Sequence, residues 1–163
     1  MLSRKTKYAL RALLMLAEQG EGRMIQVSDI AEKQKAPKKF LELILLELKK
    51  HGLLHSQRGK RGGYTLAKPA DEIYFGQIVR IMDGPLAPIP CASLTGYRKC
   101  ADCADEATCP IRRVMRRVRD AMSEILDKTT LADALAHHGR KARRLVRSAA
   151  KRGRKIRNAP AGA

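Results

Sequence analysis

The stretch DIAEKQKAPKKFLELILLELKKHGLL, residues 29–54, contains two helical patterns with a turn between them. Apolar side chains recur at steps of three and four residues from Lys38 to Lys50, which predicts a helix with one buried face. Pro37 stands at the expected first position of that helix, and Gly52 is placed to end it. A short helix before a tight turn and a longer helix after it are typical of a helix-turn-helix unit.

The segments on either side of this stretch complete the predicted fold. Residues 5–19 form an earlier amphipathic pattern, and residues 53–67, LLHSQRGKRGGYTLA, form two strand-like runs around a glycine-rich tip. A short helical pattern follows over residues 75–82. We therefore predict a mainly α fold with a small β-hairpin wing, in the order of a winged helix-turn-helix. The predicted inward-facing side chains are Tyr8, Ala9, Ala12, Leu13, Leu16, Val27, Ile30, Ala31, Phe40, Leu41, Ile44, Leu45 and Leu48.

The charge of the chain points to a polyanionic partner. The formal net charge is +18 and the isoelectric point is about 10.3. A helix fits the DNA major groove, and a basic hairpin can follow the phosphate backbone or enter the minor groove. We predict double-stranded DNA as the partner, the alternative being that these charges only solvate a helix. The candidate DNA-binding residues lie at the start of the longer helix and at the hairpin tip: Lys38, Lys39, Glu42, Arg58, Lys60 and Arg61.

A second long helical pattern begins at Pro110 and carries an apolar seam with heptad-like spacing. The seam can pack on its own domain or pair with the same helix of a second copy. A DNA reader gains from two-fold symmetry, so we predict a dimerisation helix, a homodimer and a pseudo-palindromic operator. Thr130 and Asp133 form a capping-box pattern that opens a further short helix. The seam comprises Ile111, Val114, Met115, Val118, Met122, Ile125 and Leu126, and the opposite face comprises Arg112, Arg113, Arg116, Arg117 and Arg119.

All four cysteines lie in one polar loop, CASLTGYRKCADCADEATCP, residues 91–110. Clustered thiols in a reducing compartment more often bind metal or sense redox than form structural disulfides. Four thiolates suit an iron–sulfur cluster, [4Fe–4S] or [2Fe–2S], or zinc. We predict a cluster, because zinc prefers two close cysteine pairs and only one is present; free or disulfide-forming thiols are the third possibility. The candidate ligands are Cys91, Cys100, Cys103 and Cys109, whereas Asp105 and Glu106 are interpreted as loop solvation.

Composition divides the chain into four predicted parts. Residues 1–85 form the DNA-binding domain, 86–109 the cysteine loop, and 110–137 the dimerisation helix with its short following helix. Residues 138–163 form a basic tail, expected to be disordered, with ten lysines or arginines and no acidic residue.

The sequence also argues against several classes of protein. No apolar run approaches the roughly 20 residues of a membrane span, and the first basic-apolar segment is interpreted as a helix of the fold. We therefore expect a cytoplasmic, nucleoid-associated protein with no membrane partner. No glycine-rich phosphate loop, nucleophile motif or convincing pair of catalytic carboxylates is present, so an enzyme is not expected.

Three segments together resemble a known family: LSRKTKYALRALLMLA, the stretch quoted first, and RGKRGGYTLAKPADEIYFGQIVRIMDGP. They resemble the IscR/NsrR-type winged-helix regulators of the Rrf2 family over residues 1 to about 135 of this chain. The wing pattern RG-x-x-GGY-x-L-A and the following I-x-x-G-x-I-V-R-x-x-D-G are specific in combination. The resemblance implies a homodimeric bacterial transcription regulator, and many such proteins hold a [2Fe–2S] or [4Fe–4S] cluster before the dimerisation helix.

The resemblance also implies roles for individual residues. Cys91, Cys103 and Cys109 match the three ligands of the family, while Cys100 is an extra thiol in a longer loop. Arg58 matches a wing arginine that contacts DNA. Glu42 matches an acidic position involved in site selection. The expected function is DNA binding modulated by the cluster in response to redox state, iron or nitric oxide; the alternatives are a zinc-stabilised nucleoid-type binder without sensing and a regulator controlled by a partner protein.

Overall fold

The computed structural model describes residues 2–20, 22–59 and 62–136, and it confirms a mainly helical fold with one hairpin. Lys60, Arg61 and the basic tail from residue 138 lie outside the described residues. Short 3₁₀ turns occupy Ala70–Glu72 and Pro90–Ala92, and residues 131–136 are helical. In chain order the longer elements are α1 (Arg4–Gln19), α2 (Val27–Gln34), α3 (Lys38–Lys50), β1 (Leu54–Gln57), β2 (Gly63–Leu66), α4 (Phe75–Asp83) and α5 (Pro110–Leu126).

The turn between α2 and α3 is formed by the backbone. Lys35 ends α2 in the left-handed conformation, with φ of 50°. The N–H of Ala36 donates to the carbonyl of Ala31 at 2.9 Å, so the last turn of α2 is satisfied within the chain. Pro37 is the N-cap of α3 rather than its first helical residue, one position earlier than the sequence predicted. Gly52, with φ of 70°, follows the end of α3 as expected.

The core lies where α1, α2, α3 and α4 meet. The predicted stripe of α3 is confirmed except at its first member, since Phe40 remains 37% exposed. Phe40 lies at the rim of the core, its ring edge-on to that of Tyr8 with centroids 6.0 Å apart. The largest fully buried side chains are Leu13, Leu16, Ile30, Leu41, Ile44, Leu45, Leu48, Leu53, Leu54, Ile73, Ile78 and Leu131.

The hairpin is attached to the segment that precedes α2. β1 and β2 pair antiparallel, with Leu54 opposite Leu66 and Gln57 opposite Gly63. Ile25, just before α2, exchanges two backbone hydrogen bonds of 2.9 Å with Tyr64. The wing is therefore fixed to the segment that leads into the helix-turn-helix.

The end of the described chain returns to this core. The predicted capping box is confirmed, because the N–H of Asp133 donates to Thr130 Oγ1 at 3.0 Å and the N–H of Thr130 donates to Asp133 Oδ2 at 3.1 Å. Leu131 is fully buried in the same cluster as α1 and α3. Within the described ranges, no helix has the length and apolar character needed to cross a bilayer.

Candidate DNA interface and cysteine loop

The start of α3 presents its polar side chains to solvent. Lys38, Lys39 and Glu42 are exposed, while the opposite face of α3 is buried in the core. α3 begins directly after the turn from α2, so its first turn projects from the helical unit. This placement leaves all three side chains accessible to a polyanion, and their contact with DNA stays a prediction.

The hairpin lies beside the second half of α3. Lys49 Nζ donates a hydrogen bond to Ser56 Oγ at 2.8 Å, which holds β1 against the helix. A cavity of about 370 Å³ separates the two elements and is lined by Leu46 and by Arg58, among others. Arg58 is exposed at the hairpin tip. A helix and a basic hairpin side by side can contact a groove and the adjoining phosphates together.

The cysteine loop brings Cys103 close to both Cys100 and Cys109. Cys103 Sγ lies 3.7 Å from Cys109 Sγ. Cys109 is the N-cap of α5, and its sulfur accepts the N–H of Arg112 at 3.5 Å. Cys91 lies apart in the 3₁₀ turn Pro90–Ala92 and is only 5% exposed. Among the residues that the structure describes, no three His, Cys, Asp or Glu side chains are arranged to hold a metal ion.

The thiols differ in acidity because their hydrogen bonds differ. The pKa of Cys103 is raised to about 12, mainly because its thiol donates to Cys100 and Cys109. The pKa of Cys109 is lowered, chiefly by the backbone N–H of Arg112 at the start of α5, although desolvation acts in the opposite direction. Burial raises the pKa of Cys91. The loop therefore places its most acidified thiol at the first turn of α5.

Glu106 organises the loop, and its interpretation as a solvating residue is wrong. Its carboxylate accepts the backbone N–H of Cys100 at 2.7 Å and the hydroxyl of Tyr97 at 2.8 Å. Arg112 Nε lies 3.6 Å from the same carboxylate. These contacts explain the lowered pKa of Glu106, with the Cys100 N–H as the main cause. Nothing local in the sequence distinguishes Glu106 from its neighbour Asp105, because its partners lie six and nine residues away.

Two arginines of α5 point inward, which corrects the predicted arginine face. Arg119 was expected to be outward but is 6% exposed. Its guanidinium donates to the carbonyl oxygen of Ala92 at 2.5 Å and to Asp120 Oδ1. Two turns earlier, Arg112 Nε donates to the carbonyl oxygen of Cys91 at 2.9 Å. Both arginines can point inward because a long guanidinium side chain donates to the carbonyl groups that the loop places against the helix.

The apolar seam of α5 divides into two sets. Met115 and Leu126 are partly buried on the side of Arg112 and Arg119. The other members form an exposed apolar face: Ile111, Val114, Val118, Met122 and Ile125, which are between 37% and 65% exposed. The structure thus separates a face that contacts the cysteine loop from a face that is open in the single chain.

Comparison with known proteins identifies the class of this chain. The Rrf2 family, described as an iron-dependent transcriptional regulator, matches residues 2–137. A rrf2-like helix-turn-helix regulator of Rhodobacter capsulatus, named as putative, is 43% identical, over 83% of this chain and 93% of the relative. The structure of CymR, the global cysteine regulator of B. subtilis, has a TM-score of 0.69 and 31% identity, covering 84% of this chain and 97% of CymR. IscR of T. potens has a TM-score of 0.66 and 30% identity, covering 85% and 88%.

The winged helix-turn-helix and its relatives together define a DNA-binding transcriptional regulator, not an enzyme. The match over nearly the whole described chain shows that the protein belongs to the Rrf2 family. The resemblance inferred from the sequence is confirmed at this level.

Proposed function

We propose that this chain is a homodimeric transcriptional regulator whose affinity for DNA is modulated by an iron–sulfur cluster bound through Cys91, Cys100, Cys103 and Cys109. The observation that supports it most is the connection between the cysteine loop and α5. The loop contributes the N-cap of α5 through Cys109, and α5 returns two arginines to loop carbonyls. A change in the loop therefore acts directly on the helix.

The contact between Cys103 and Cys109 suits a single tetrahedral metal. Two thiolates bound at ~2.3 Å to one tetrahedral metal lie roughly 3.8 Å apart. The observed separation of 3.7 Å matches that value. In a [2Fe–2S] cluster four cysteines serve two irons, so two thiolates share each iron, whereas each iron of a [4Fe–4S] cluster takes one. We therefore favour [2Fe–2S], in which Cys91 and Cys100 would supply the other two ligands; the separation of Cys103 from Cys109 fits zinc equally well.

When bound, the cluster supplies redox chemistry and sensitivity to iron or nitric oxide, and the residues of this chain relay its state. A cluster held by Cys91 and Cys109 would tie the 3₁₀ turn Pro90–Ala92 to the start of α5. Arg112 and Arg119 hold the carbonyl groups of Cys91 and Ala92 against the helix. If the thiols are released, these hydrogen bonds are the remaining contacts that order the loop. The packing of α5 on the DNA-binding unit then loses one of its supports.

The homodimer is supported by the exposed apolar face of α5. Five large aliphatic side chains in one stripe are an unusual surface for an isolated soluble chain. Their spacing is that of a two-helix interface. A two-fold axis at α5 places two copies of α3 for a pseudo-palindromic operator. The expected partners are thus double-stranded DNA and a second copy of this chain.

The decisive experiment is anaerobic purification of the full chain, followed by visible spectroscopy and analysis of iron, sulfide and zinc. We expect a coloured protein with broad visible absorption and two irons and two sulfides per chain. DNA binding to a selected operator should change after the cluster is removed. A colourless protein with stoichiometric zinc, or equal DNA affinity with and without the cluster, overturns the proposal.

The proposed coupling between the cysteine loop and α5 is tested by Arg119→Lys. Arg117→Lys, on the exposed face of α5, is the matched control. A lysine keeps the charge but loses the planar group that reaches both Ala92 and Asp120. We expect Arg119→Lys to retain the visible spectrum while the operator affinities with and without cluster converge. An unchanged affinity difference in this variant contradicts the coupling.

A second candidate is a regulator controlled by a partner protein with unligated cysteines, and the position of Cys91, which lies apart from the contact between Cys103 and Cys109, favours it. Replacing all four cysteines by alanine distinguishes the cluster-dependent regulator from the partner-controlled one. Signal-responsive DNA binding that survives this change supports the second candidate and rejects the cluster.

A further inference from the structure

The outward face of α3 carries a leucine that the core does not use. Leu43 is 65% exposed, more than any other apolar side chain of α3. Phe40 differs, since its ring packs edge-on to Tyr8. Single apolar side chains are common on protein surfaces, so it is the place of Leu43 on the outward face of the second helix of the helix-turn-helix that makes its exposure informative.

The surroundings of Leu43 are charged. Exposed Lys39, four residues earlier, shares the face of Leu43, exposed Glu42 directly precedes Leu43 in the chain, and Lys49 and Lys50 lie at the end of the same helix. A protein-binding groove normally has an apolar centre of several side chains. Leu43 has Phe40 and Leu46, both less exposed than itself, on the turns before and after it, and exposed Lys39 and Lys50 on the same face, which suits a polyanion that offers isolated apolar groups. The DNA major groove does so, because thymine alone among the bases presents a methyl group at that edge.

We propose that Leu43 is a specificity-determining residue that selects thymine by packing on its C5 methyl group in the major groove. The inference rests on the DNA binding of the family and on the proposed placement of α3 in the groove. It deepens that function by assigning a base preference to one side chain. Leu43 supplies the contact, while the lysines on the same helix hold the phosphates.

Leu46 provides a matched comparison one turn further along α3. It is also exposed, at 44%, but it lines the cavity between α3 and the hairpin together with Arg58. Recognition helices contact base edges mainly through their N-terminal residues. Leu46 therefore packs towards the wing and does not read a base.

The experiment starts with selection of the preferred sequence from a randomised duplex library, using the full chain. Each thymine of the selected site is then replaced by deoxyuridine, which removes the methyl group and leaves the Watson–Crick edge unchanged. Affinities are measured by fluorescence anisotropy at one salt concentration. We expect a loss of about fourfold at one equivalent position in each half-site, the value of burying one methyl group.

Three variants test whether the effect of the thymine methyl group depends on the side chain of Leu43. Leu43→Ala should bind the thymine and uracil duplexes equally at that position, whereas Leu46→Ala should keep the wild-type ratio. Leu43→Gln should prefer adenine there, since glutamine can donate to N7 and accept from N6 of adenine. Circular dichroism checks that each variant is folded, and all three changes lie on exposed positions.

The outcomes separate this inference from the proposed function. Equal binding of thymine and uracil duplexes by the wild type at every position overturns the role of Leu43, as does a methyl effect that survives in Leu43→Ala. If either occurs while the cluster still modulates operator affinity, only this inference fails. If selection yields no preferred sequence, both fail.

Discussion

Gly76 shows at the scale of one residue why a motif glycine is required. A Cβ atom built there would lie 1.9 Å from Asp127 Oδ1 and 2.9 Å from Arg80 Nη1. Arg80 and Asp127 form a bidentate pair with N–O distances of 2.6 and 2.7 Å. The glycine thus leaves space for an ion pair that joins α4 to the residue after α5. The backbone of Gly76 itself is ordinary helix, so the requirement is one of space.

Gly76→Ala should therefore destabilise the protein by about 1–3 kcal/mol, because the pair must separate or the helices must shift. Urea unfolding of wild type and variant measures the difference. The double variant Gly76→Ala/Asp127→Ala should cost less than the sum of the two single changes, since removing the carboxylate removes the clash. Strict additivity would contradict this explanation.

The same ion pair predicts a dependence of stability on pH. Hydrogen bonding to Arg80 lowers the pKa of Asp127 below its ordinary value of 3.8, with desolvation acting against it. A lowered folded-state pKa gives stability that is present above the unfolded pKa and is lost as pH falls through the folded pKa. Asp127→Asn should thus be less stable than wild type at pH 7, and the difference should shrink as the pH falls below 3.8 and through the lowered pKa of Asp127.

Because the pair is partly exposed, the difference at pH 7 should stay within about 1 kcal/mol. Urea unfolding from pH 7 down to pH 2.5 measures it. Glu124→Gln is the control, since the Glu124–Lys128 pair is much more exposed and should contribute little at any pH. A difference for Asp127→Asn that is the same at all pH values argues against the ion pair as its source.

At the scale of an element, α5 combines two surfaces with different partners. Arg112 and Arg119 bind loop carbonyls within the chain, while the apolar stripe from Ile111 to Ile125 is exposed. A helix that is covered on one side by its own loop and open on the other can transmit a change in the loop to a second copy. We therefore expect the loop contacts of Arg112 and Arg119 and the packing of the apolar stripe to influence each other only when the dimer has formed.

Val118→Asp should disrupt the proposed dimer, because the exposed stripe would bury a carboxylate at its centre. Arg113→Asp, on the opposite and exposed face, is the matched control and should leave the dimer intact. Sedimentation velocity at micromolar concentration measures the assembly state. A Val118→Asp variant that remains as dimeric as Arg113→Asp contradicts the assignment of this face.

At the scale of the whole molecule, the predicted DNA surface is built from two separate elements. The hydrogen bond from Lys49 to Ser56 joins α3 to the hairpin, and the pairing of Ile25 with Tyr64 joins the hairpin to the segment before α2. These contacts hold the hairpin, which carries Arg58, beside the helix-turn-helix. Phosphate contacts from both elements should therefore form together on one duplex.

Salt dependence tests that arrangement. If about six phosphates are neutralised per complex, the logarithm of affinity should fall with the logarithm of salt concentration with a slope near −5. Arg58→Ala should weaken binding to selected and random DNA alike and make the slope shallower by about 2, because each copy in the dimer loses one phosphate contact. Titrations between 50 and 300 mM salt measure it. An unchanged slope in Arg58→Ala means that this side chain does not contact phosphate.

The sequence by itself determined the helices of the core, the hairpin and the gathering of the thiols. Helical periodicity, turn glycines and the capping box of Thr130 are local patterns, so they could be recognised without knowing which elements meet. The family could be recognised for the same reason, since its motifs lie in those local segments.

The tertiary structure alone decided which side chains have partners. Arg119 belongs by periodicity to an arginine face, yet it is buried because the cysteine loop folds a carbonyl group against it. Glu106 organises the loop, and Gly76 leaves space for Asp127, because of residues brought close only by folding. Burial and pairing depend on what another element presents, and no local pattern contains that information.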